Sequence, residues 1–180
     1  MTILREGILL LEFVFLVIFG IIMAVKKVKL NKWLLNMSFG IYISLVIAVC
    51  FFPIRISTAA ESVANNFIPF KSIAESISES VKDHSPYGLV SVLGNFIMLT
   101  PLGIFFSFYI KDFKNRLIGV SLFSVSIEMI QFIIGLLIGY NYRCIDIDDV
   151  ILNVLGGIIA CILVNFVLKK YEEKKNSTLD

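Results

Sequence analysis

The sequence predicts an all-α integral membrane protein, a polytopic helical bundle of about five transmembrane helices plus one external amphipathic surface helix. Apolar residues make up 58% of the chain and charged residues 17%, whereas soluble domains average about 45–50% and about 25%. The mean hydropathy is +0.90, and the charges are concentrated between long apolar runs. These three observations exclude a soluble Rossmann fold, barrel or sandwich, because the apolar runs leave no residues for a soluble core.

Five apolar runs carry at most one charge each, and each approaches or exceeds the ~20 residues that a helix needs to cross a bilayer core. They cover residues 7–25, 33–52, 87–110, 117–139 and 150–168. We expect a single membrane domain over residues 1–180, with an external loop at 53–86 and a cytoplasmic tail at 169–180. The first run is longer than the apolar core of a signal peptide, and we interpret it as a retained span.

The distribution of lysine and arginine predicts the orientation of these spans. The segments after the first and third spans, together with the tail, contain eleven basic residues, whereas the segments on the other side contain five. Cytoplasmic segments carry the excess of basic residues, so we expect the N-terminus outside the cell and the C-terminus in the cytoplasm. An odd number of spans also requires the two termini to lie on opposite sides.

The external loop contains a predicted amphipathic helix that begins just after Pro69, a residue suited to a helix start. Its apolar residues recur at helical spacing, and its acidic residues share the opposite face. The apolar set is Phe70, Ile73, Ile77 and Val81, and the acidic set is Glu75, Glu79 and Asp83. Such a helix is expected to lie along the outer membrane surface, and an ordinary polar loop is the alternative.

Several polar side chains fall inside the predicted spans, where such groups usually face the protein interior or a water-filled cavity. Glu128 is the central residue of its span and is expected near the bilayer midplane. Asn95, Gln131 and Asn153 lie between the midplane and the outer surface, so we predict an outward-facing polar cavity. Packing does not need a midplane carboxylate, which makes Glu128 a candidate general acid or base, and a packing seam of polar and small residues is the alternative.

Three aspartates, Asp146, Asp148 and Asp149, come just before the last span and follow Arg143. Acidic residues at a helix N-terminus cap free N–H groups, and this explains one or two of them. Three carboxylates repel one another unless a cation or Arg143 lies among them, so they are also candidate ligands of a divalent cation. A helix turns ~100° per residue, so Asp149 shares a face with Asn153 while Asp148 does not, and we expect Asp149 to matter more.

Other classes of function find little support in the sequence. A net charge of +2, dispersed along the chain, does not indicate a nucleic-acid partner. Cys50, Cys144 and Cys161 match no metal or redox spacing, and we expect free thiols. His84 precedes Ser85 and Pro86 in a loop, where a surface histidine is the better interpretation than a catalytic one.

Four ordered blocks of residues resemble the VanZ-like family of bacterial membrane proteins, which is named for a teicoplanin-resistance protein. The blocks are Asn66 to Phe70, Asn95 followed by Pro101-Leu102-Gly103, Glu128 with Gln131, and Arg143 to Gly157 with Asp146, Asp148, Asp149 and Asn153. The resemblance covers roughly residues 60–160, and its departures at Thr100 and Cys144 do not touch the polar set.

The resemblance implies a protein of the bacterial plasma membrane that lowers susceptibility to teicoplanin and related lipoglycopeptides. Its expected partners are membrane lipids and either a lipid-linked cell-wall precursor or the lipoglycopeptide itself. The candidate binding residues are Asn66, Asn95, Gln131, Arg143, Asp146, Asp149 and Asn153.

The residues leave more than one mechanism open. The first is binding of an outer-leaflet lipid, wall precursor or drug, with Arg143 contacting a phosphate. The second is an intramembrane enzyme acting on a lipid or wall-precursor head group, with Glu128 as acid or base and an aspartate-held divalent cation as cofactor. A proton-coupled transporter with Glu128 as carrier is the third, although five spans without a visible repeat fit it poorly.

Overall fold

The computed structural model describes residues 2–3, 5–55 and 62–177. These residues form seven helices and one short pair of strands. The helices are α1 (Arg5–Val25), α2 (Leu30–Phe51), α3 (Lys71–Lys82), α4 (Tyr87–Met98), α5 (Thr100–Tyr109), α6 (Phe113–Ile138) and α7 (Ile147–Ser177), and the strands are β1 (Thr2–Ile3) and β2 (Ile54–Arg55). The all-α class is therefore confirmed. Residues 56–61 of the predicted loop and 178–180 of the predicted tail lie outside the described residues.

Five helical segments of the described chain are long and apolar enough to cross a membrane. They are Glu6–Val25, Leu30–Phe51, Tyr87–Tyr109, Phe113–Ile138 and Ile147–Asn176. The predicted number of spans is confirmed, but α6 and α7 begin before the apolar runs at 117 and 150. The first turns of both helices contain polar residues such as Arg116 and Asp149. Hydropathy alone therefore places the start of each helix three or four residues too far along the chain.

The third span is broken in its middle, where α4 ends at Met98 and α5 begins at Thr100. Pro101 lies in the first turn of α5 and has no N–H group to donate to the carbonyl of Ile97. Leu99, between the two helices, has a fully buried side chain and leaves helical geometry. This break agrees with the kink that a proline near the bilayer centre predicts.

The chain divides into two compact units, residues 1–63 with 133–143, and residues 64–132 with 144–180. In the first unit α1 packs on α2, and the indole N–H of Trp33 donates to the carbonyl of Gly20 at 3.1 Å. β1 pairs antiparallel with β2 in the same unit.

The second unit is organised around α7, which packs on α4 and α5. Its glycines allow backbone to approach backbone. A Cβ atom on Gly156 would lie 1.7 Å from the carbonyl oxygen of Phe96, and one on Gly103 would lie 2.2 Å from that of Gly157. Small residues thus form the contact between α7 and the broken third span, as expected for helices that pack in lipid.

Candidate functional site

A polar cleft of about 140 Å³ lies between α3, α4 and the start of α7 in the second unit. Hydroxyl, amide and carboxylate groups dominate its walls. The lining residues are Ser72, Ile73, Ser76, Ser91, Val92, Asn95, Asp146, Asp148, Asp149 and Leu152. Among the described residues that line the cleft, none carries a positive charge, so its electrostatic potential is set by carboxylates.

Asn95 and Asp149 meet across the cleft, because the amide Nδ2 of Asn95 donates a hydrogen bond to Oδ1 of Asp149. Asn95 is on α4 and Asp149 is in the first turn of α7, so two predicted site residues from separate spans form one pair. Both side chains are half-buried and line the cleft. The amide of Asn95 carries no charge, so this hydrogen bond does not neutralise the carboxylate of Asp149.

Asp146 is the N-cap of α7. Its Oδ1 accepts the backbone N–H of Asp148 at 2.9 Å, which satisfies one of the free N–H groups of the first turn. The same oxygen accepts the amide of Asn66 at 2.8 Å. The backbone N–H of Asp146 donates to Oε2 of Glu128 at 3.2 Å, so the buried glutamate of α6 reaches the residue that starts α7.

Asp148 caps a different helix from its own. Its two carboxylate oxygens accept the backbone N–H groups of Phe70 at 2.5 Å and Ile73 at 3.1 Å, at the start of α3. The apolar N-cap residue of α3, Phe70, has no side-chain oxygen that can make these bonds. Asp148 is 1% exposed, the most buried of the three aspartates. Asp148 does not share a face of α7 with Asp149 and Asn153, and its carboxylate instead holds the first turn of α3.

Asn66 ties the loop before α3 to the start of α7. Its backbone N–H donates to the carbonyl of Ile145 at 2.9 Å, and its own carbonyl accepts the N–H of Ile147 at 3.0 Å. Its side-chain amide donates to Asp146 and to Ser72, and its Oδ1 accepts the N–H of Ile68 at 3.1 Å. Asn66 therefore positions the cleft through internal bonds, and its side chain is buried.

The polar side chains predicted inside the spans of α6 and α7 are buried in the second unit. Glu128 and Gln131 are 7% and 8% exposed, and Ser124 donates to the carbonyl of Val150 at 3.3 Å. Asn153 is 1% exposed, one turn below Asp149, and its Oδ1 has no hydrogen-bond partner among the described residues. Burying an unsatisfied amide oxygen costs about 1–3 kcal/mol, so packing alone does not account for an asparagine at this position.

Arg143 belongs to the first unit and is not among the residues that line the cleft. Its Nη2 donates to the carbonyls of Val49 at 2.9 Å and Phe52 at 3.1 Å. These carbonyls lie at the end of α2, where the last turn leaves acceptors without helical partners. The guanidinium thus satisfies carbonyl acceptors at the end of α2.

The three aspartates do not have the arrangement of a cation site. Both oxygens of Asp148 accept backbone N–H groups, and Oδ1 of Asp146 accepts two hydrogen bonds. Among the described residues, no group of three or more histidine, cysteine, aspartate or glutamate side chains is placed to hold a metal ion. The candidate divalent-cation ligands therefore do not fit that role in this geometry.

Cys144 precedes the cleft and is a free, half-buried thiol, as are the buried thiols Cys50 and Cys161. Burial raises the pKa of the Cys144 thiol, and the charge of Asp146 raises this pKa further, while a hydrogen bond with the Asn66 backbone lowers it. A raised pKa leaves less thiolate at neutral pH, and the thiolate is the reactive form.

We therefore expect maleimide to alkylate Cys144 about tenfold more slowly at pH 7.5 than an exposed control cysteine, Glu79→Cys. The Cys144 rate should continue to rise with pH after the control has levelled off. Mass spectrometry of timed reactions measures both rates. Equal rates and equal pH profiles would contradict the burial of this thiol.

The serines of the cleft were not predicted from the sequence. Ser72, Ser76 and Ser80 lie four residues apart and share one face of α3. A Cβ on Gly88 of α4 would lie 2.1 Å from the carbonyl oxygen of Ser76, so this face packs directly on α4. The four-residue spacing of these serines is the sequence signal that identifies this face.

The VanZ/LLP1 family model matches residues 39–168, most of the chain. The chain belongs to the VanZ/LLP1 family. The matched region contains every residue of the cleft and also Glu128, Gln131, Arg143 and Asn153. Comparisons with curated proteins and with solved structures found no match. The VanZ/LLP1 assignment confirms the family resemblance of the four sequence blocks.

Proposed function

We propose that this VanZ/LLP1 protein binds the polar head group of an outer-leaflet amphiphile in the cleft between α3, α4 and α7. The ligand is a membrane lipid, a lipid-linked cell-wall precursor or a lipoglycopeptide, and its binding lowers susceptibility to teicoplanin and related drugs. The Asn95–Asp149 pair carries this proposal, because it joins an amide and a carboxylate from two spans in one cleft that serine hydroxyls also line.

The lining of the cleft favours hydroxyl and ammonium groups as the recognised chemistry. Carboxylate and amide oxygens accept hydrogen bonds from such groups, and the serine hydroxyls can donate as well as accept. A phosphate would meet the carboxylates of Asp146, Asp148 and Asp149 with no cation among the described lining residues. Arg143, the phosphate-binding candidate, donates instead to carbonyls in the first unit. We therefore place sugar hydroxyls or an amine in the cleft.

Teicoplanin tolerance of a susceptible Gram-positive host that expresses the protein tests this function. Cells that express the wild-type chain should tolerate more teicoplanin than cells without it, while tolerance of a glycopeptide without an acyl chain should change less. Asp149→Asn removes the charge and keeps an oxygen for Asn95, so the fold should survive and the protection should be lost. Asp112→Asn, an exposed aspartate at the start of α6, is the matched control and should protect fully.

The lipids that remain bound through purification provide a second measurement. Mass spectrometry should find an amphiphile with a hydroxyl-rich or amine-bearing head group on the wild-type protein and much less of it on Asp149→Asn. Equal lipid retention and equal drug tolerance in the two proteins would refute binding at this cleft.

The orientation that we propose is N-terminus outside and C-terminus in the cytoplasm of a bacterial plasma membrane, on the basis of the eleven-to-five distribution of basic residues. Ser78→Cys on α3 should react with an impermeant thiol reagent in intact cells, whereas Lys174→Cys on α7 should react only after lysis. Cys50 and Cys161 are buried, and Cys144→Ser removes the half-buried third thiol from the background. The reverse labelling pattern would place the cleft on the cytoplasmic side.

Glu128→Gln separates ligand binding from the enzymatic alternative. A glutamine oxygen can accept the N–H of Asp146 as the glutamate oxygen does, so the fold should be retained. A binding protein that uses Glu128 only as an acceptor should keep most of its protection, which is the result we expect. An enzyme that transfers a proton through Glu128 should lose its drug protection entirely. Drug tolerance at matched protein levels measures the difference, and complete loss would favour the enzyme.

A further inference from the structure

Helix α3 has three distinct faces, which follow from its turn of ~100° per residue. Ser72, Ser76 and Ser80 form the first face, which borders the cleft and packs on α4 at Gly88. Four charged residues form the second face. They are Lys71, Glu75, Glu79 and Lys82. The third face is apolar and is made by Phe70, Ala74, Ile77 and Val81.

The apolar face of α3 points away from the second unit. Val81 is 68% exposed and Phe70 is 64% exposed, although both lie outside the spans where lipid accounts for exposed apolar residues. The preceding turn continues this surface, because Phe67 is 70% exposed and Ile68 is 62% exposed. We call residues 67–70 together with the apolar face of α3 the apolar ridge.

The ridge is held in place by the polar groups beside the cleft. Phe70 has a left-handed backbone with φ of 66°, a conformation that is unfavourable for an aromatic residue. The carboxylate of Asp148 accepts the Phe70 N–H in this conformation, and Asn66 accepts the N–H of Ile68. These hydrogen bonds therefore hold the turn in a strained conformation, and in this conformation its apolar side chains are exposed.

The position of α3 identifies what covers the ridge. α3 packs on the first turn of α4, and α4 is the first half of a membrane span, so α3 lies at the end of that span, where a bilayer meets water. Tyr87, the first residue of α4, is 82% exposed, and aromatic residues are enriched at this depth of a membrane. Lys71 and Lys82 stand at the two ends of α3 and on its charged face, in the place where lysines contact lipid head groups.

We propose that the apolar ridge inserts into the bilayer surface beside the third span, so that α3 and its turn form a membrane-interface anchor. Phe67, Ile68 and Phe70 enter the head-group and upper acyl region, and the charged face of α3 remains in water. The serine face then holds the cleft at the depth of the lipid head groups. The anchor is a lipid contact of the protein itself and does not depend on which ligand the cleft binds.

Single-tryptophan fluorescence in lipid vesicles tests the anchor. Trp33 is the sole tryptophan, so a Trp33→Phe protein provides a dark background. Into it we would introduce Phe67→Trp or Val81→Trp on the ridge, with Glu79→Trp on the charged face as the matched control. Each protein is reconstituted in vesicles of phosphatidylcholine and phosphatidylglycerol, with acyl chains that are either unmodified or brominated.

Brominated chains should remove about half of the emission of the two ridge tryptophans, because an interfacial helix buries its apolar face about 5–10 Å into the lipid. The control tryptophan should be affected little by bromine and strongly by iodide present on both sides of the membrane. Circular dichroism identifies any variant that does not fold, and the other ridge position then decides the test.

Two results would overturn the anchor. In the first, iodide quenches the ridge tryptophans as strongly as the control, which would place the ridge in water. In the second, neither bromine nor iodide quenches them and their emission changes when excess lipid dilutes the protein, which would show that a second copy covers the ridge. If the wild-type chain gives cells no drug protection while bromine still quenches the ridge tryptophans, only the proposed function is contradicted and the anchor stands.

Discussion

Asp148→Asn is expected to lower the thermal stability of the purified protein by about 5–10 °C, the shift that a loss of about 2–3 kcal/mol produces in a chain of this size. The carboxylate is 1% exposed and accepts two backbone N–H groups at the start of α3. An asparagine has one acceptor oxygen and must turn its NH₂ group toward one of these donors. The helix also loses a negative charge at its positive end.

Hydrogen exchange locates this effect. The amides of residues 70–74 should exchange faster in Asp148→Asn, because the N-terminal turn of α3 has lost its cap. Asp149→Asn is the matched control, since that change keeps an oxygen for Asn95 and should shift the melting temperature little. If the two variants melt at the same temperature and the α3 amides are equally protected, Asp148 does not hold α3.

Gly156→Ala should destabilise the protein by about 2–3 kcal/mol, the upper part of the range for overpacking a tight contact. The added Cβ would lie 1.7 Å from the carbonyl oxygen of Phe96 and 2.9 Å from its carbonyl carbon. These are backbone atoms and cannot rotate away, so α7 and α4 have to separate. Thermal denaturation followed by circular dichroism, together with gel filtration of the detergent-solubilised protein, measures the loss.

Gly94→Ala is the matched control for this substitution. Gly94 lies inside α4, and beyond the neighbouring backbone of its own helix no atom of the described residues lies within 4 Å of the position that its Cβ would occupy. Alanine has a helix propensity about 1 kcal/mol better than glycine, so this variant should be as stable as the wild type or more stable. A Gly156→Ala protein with the stability of Gly94→Ala would show that the helices are not packed at Gly156 as described.

The membrane-embedded part of the fold could be predicted because its signals are local. Span lengths follow from the absence of charges over about 20 residues, and the break in the third span follows from Pro101 alone. Polar residues inside a span usually face the protein interior, and Glu128, Gln131 and Asn153 are buried in the structure. Membership of the VanZ/LLP1 family was also readable from four short blocks of residues.

The roles of the aspartates and of Arg143 could not be predicted in the same way. Proximity along the chain placed Arg143 with Asp146, yet it donates to carbonyls at the end of α2. Asp148 was a candidate cation ligand in the sequence, and its role in capping α3 was not predicted. Its partners, Phe70 and Ile73, are more than seventy residues away, and only the packing of α3 on α7 brings them together.

By itself the sequence determined an all-α membrane protein with about five spans, a proline break and buried polar faces, because hydropathy and helical periodicity act over one or two turns. Tertiary structure decided which carboxylate meets a neutral amide in the cleft and which one caps another helix. It also decided that the serine face of α3 faces the protein while its apolar face is left exposed. Hydrogen bonds between distant segments select these pairings, and their energy depends on distances of about 3 Å that no sequence spacing specifies.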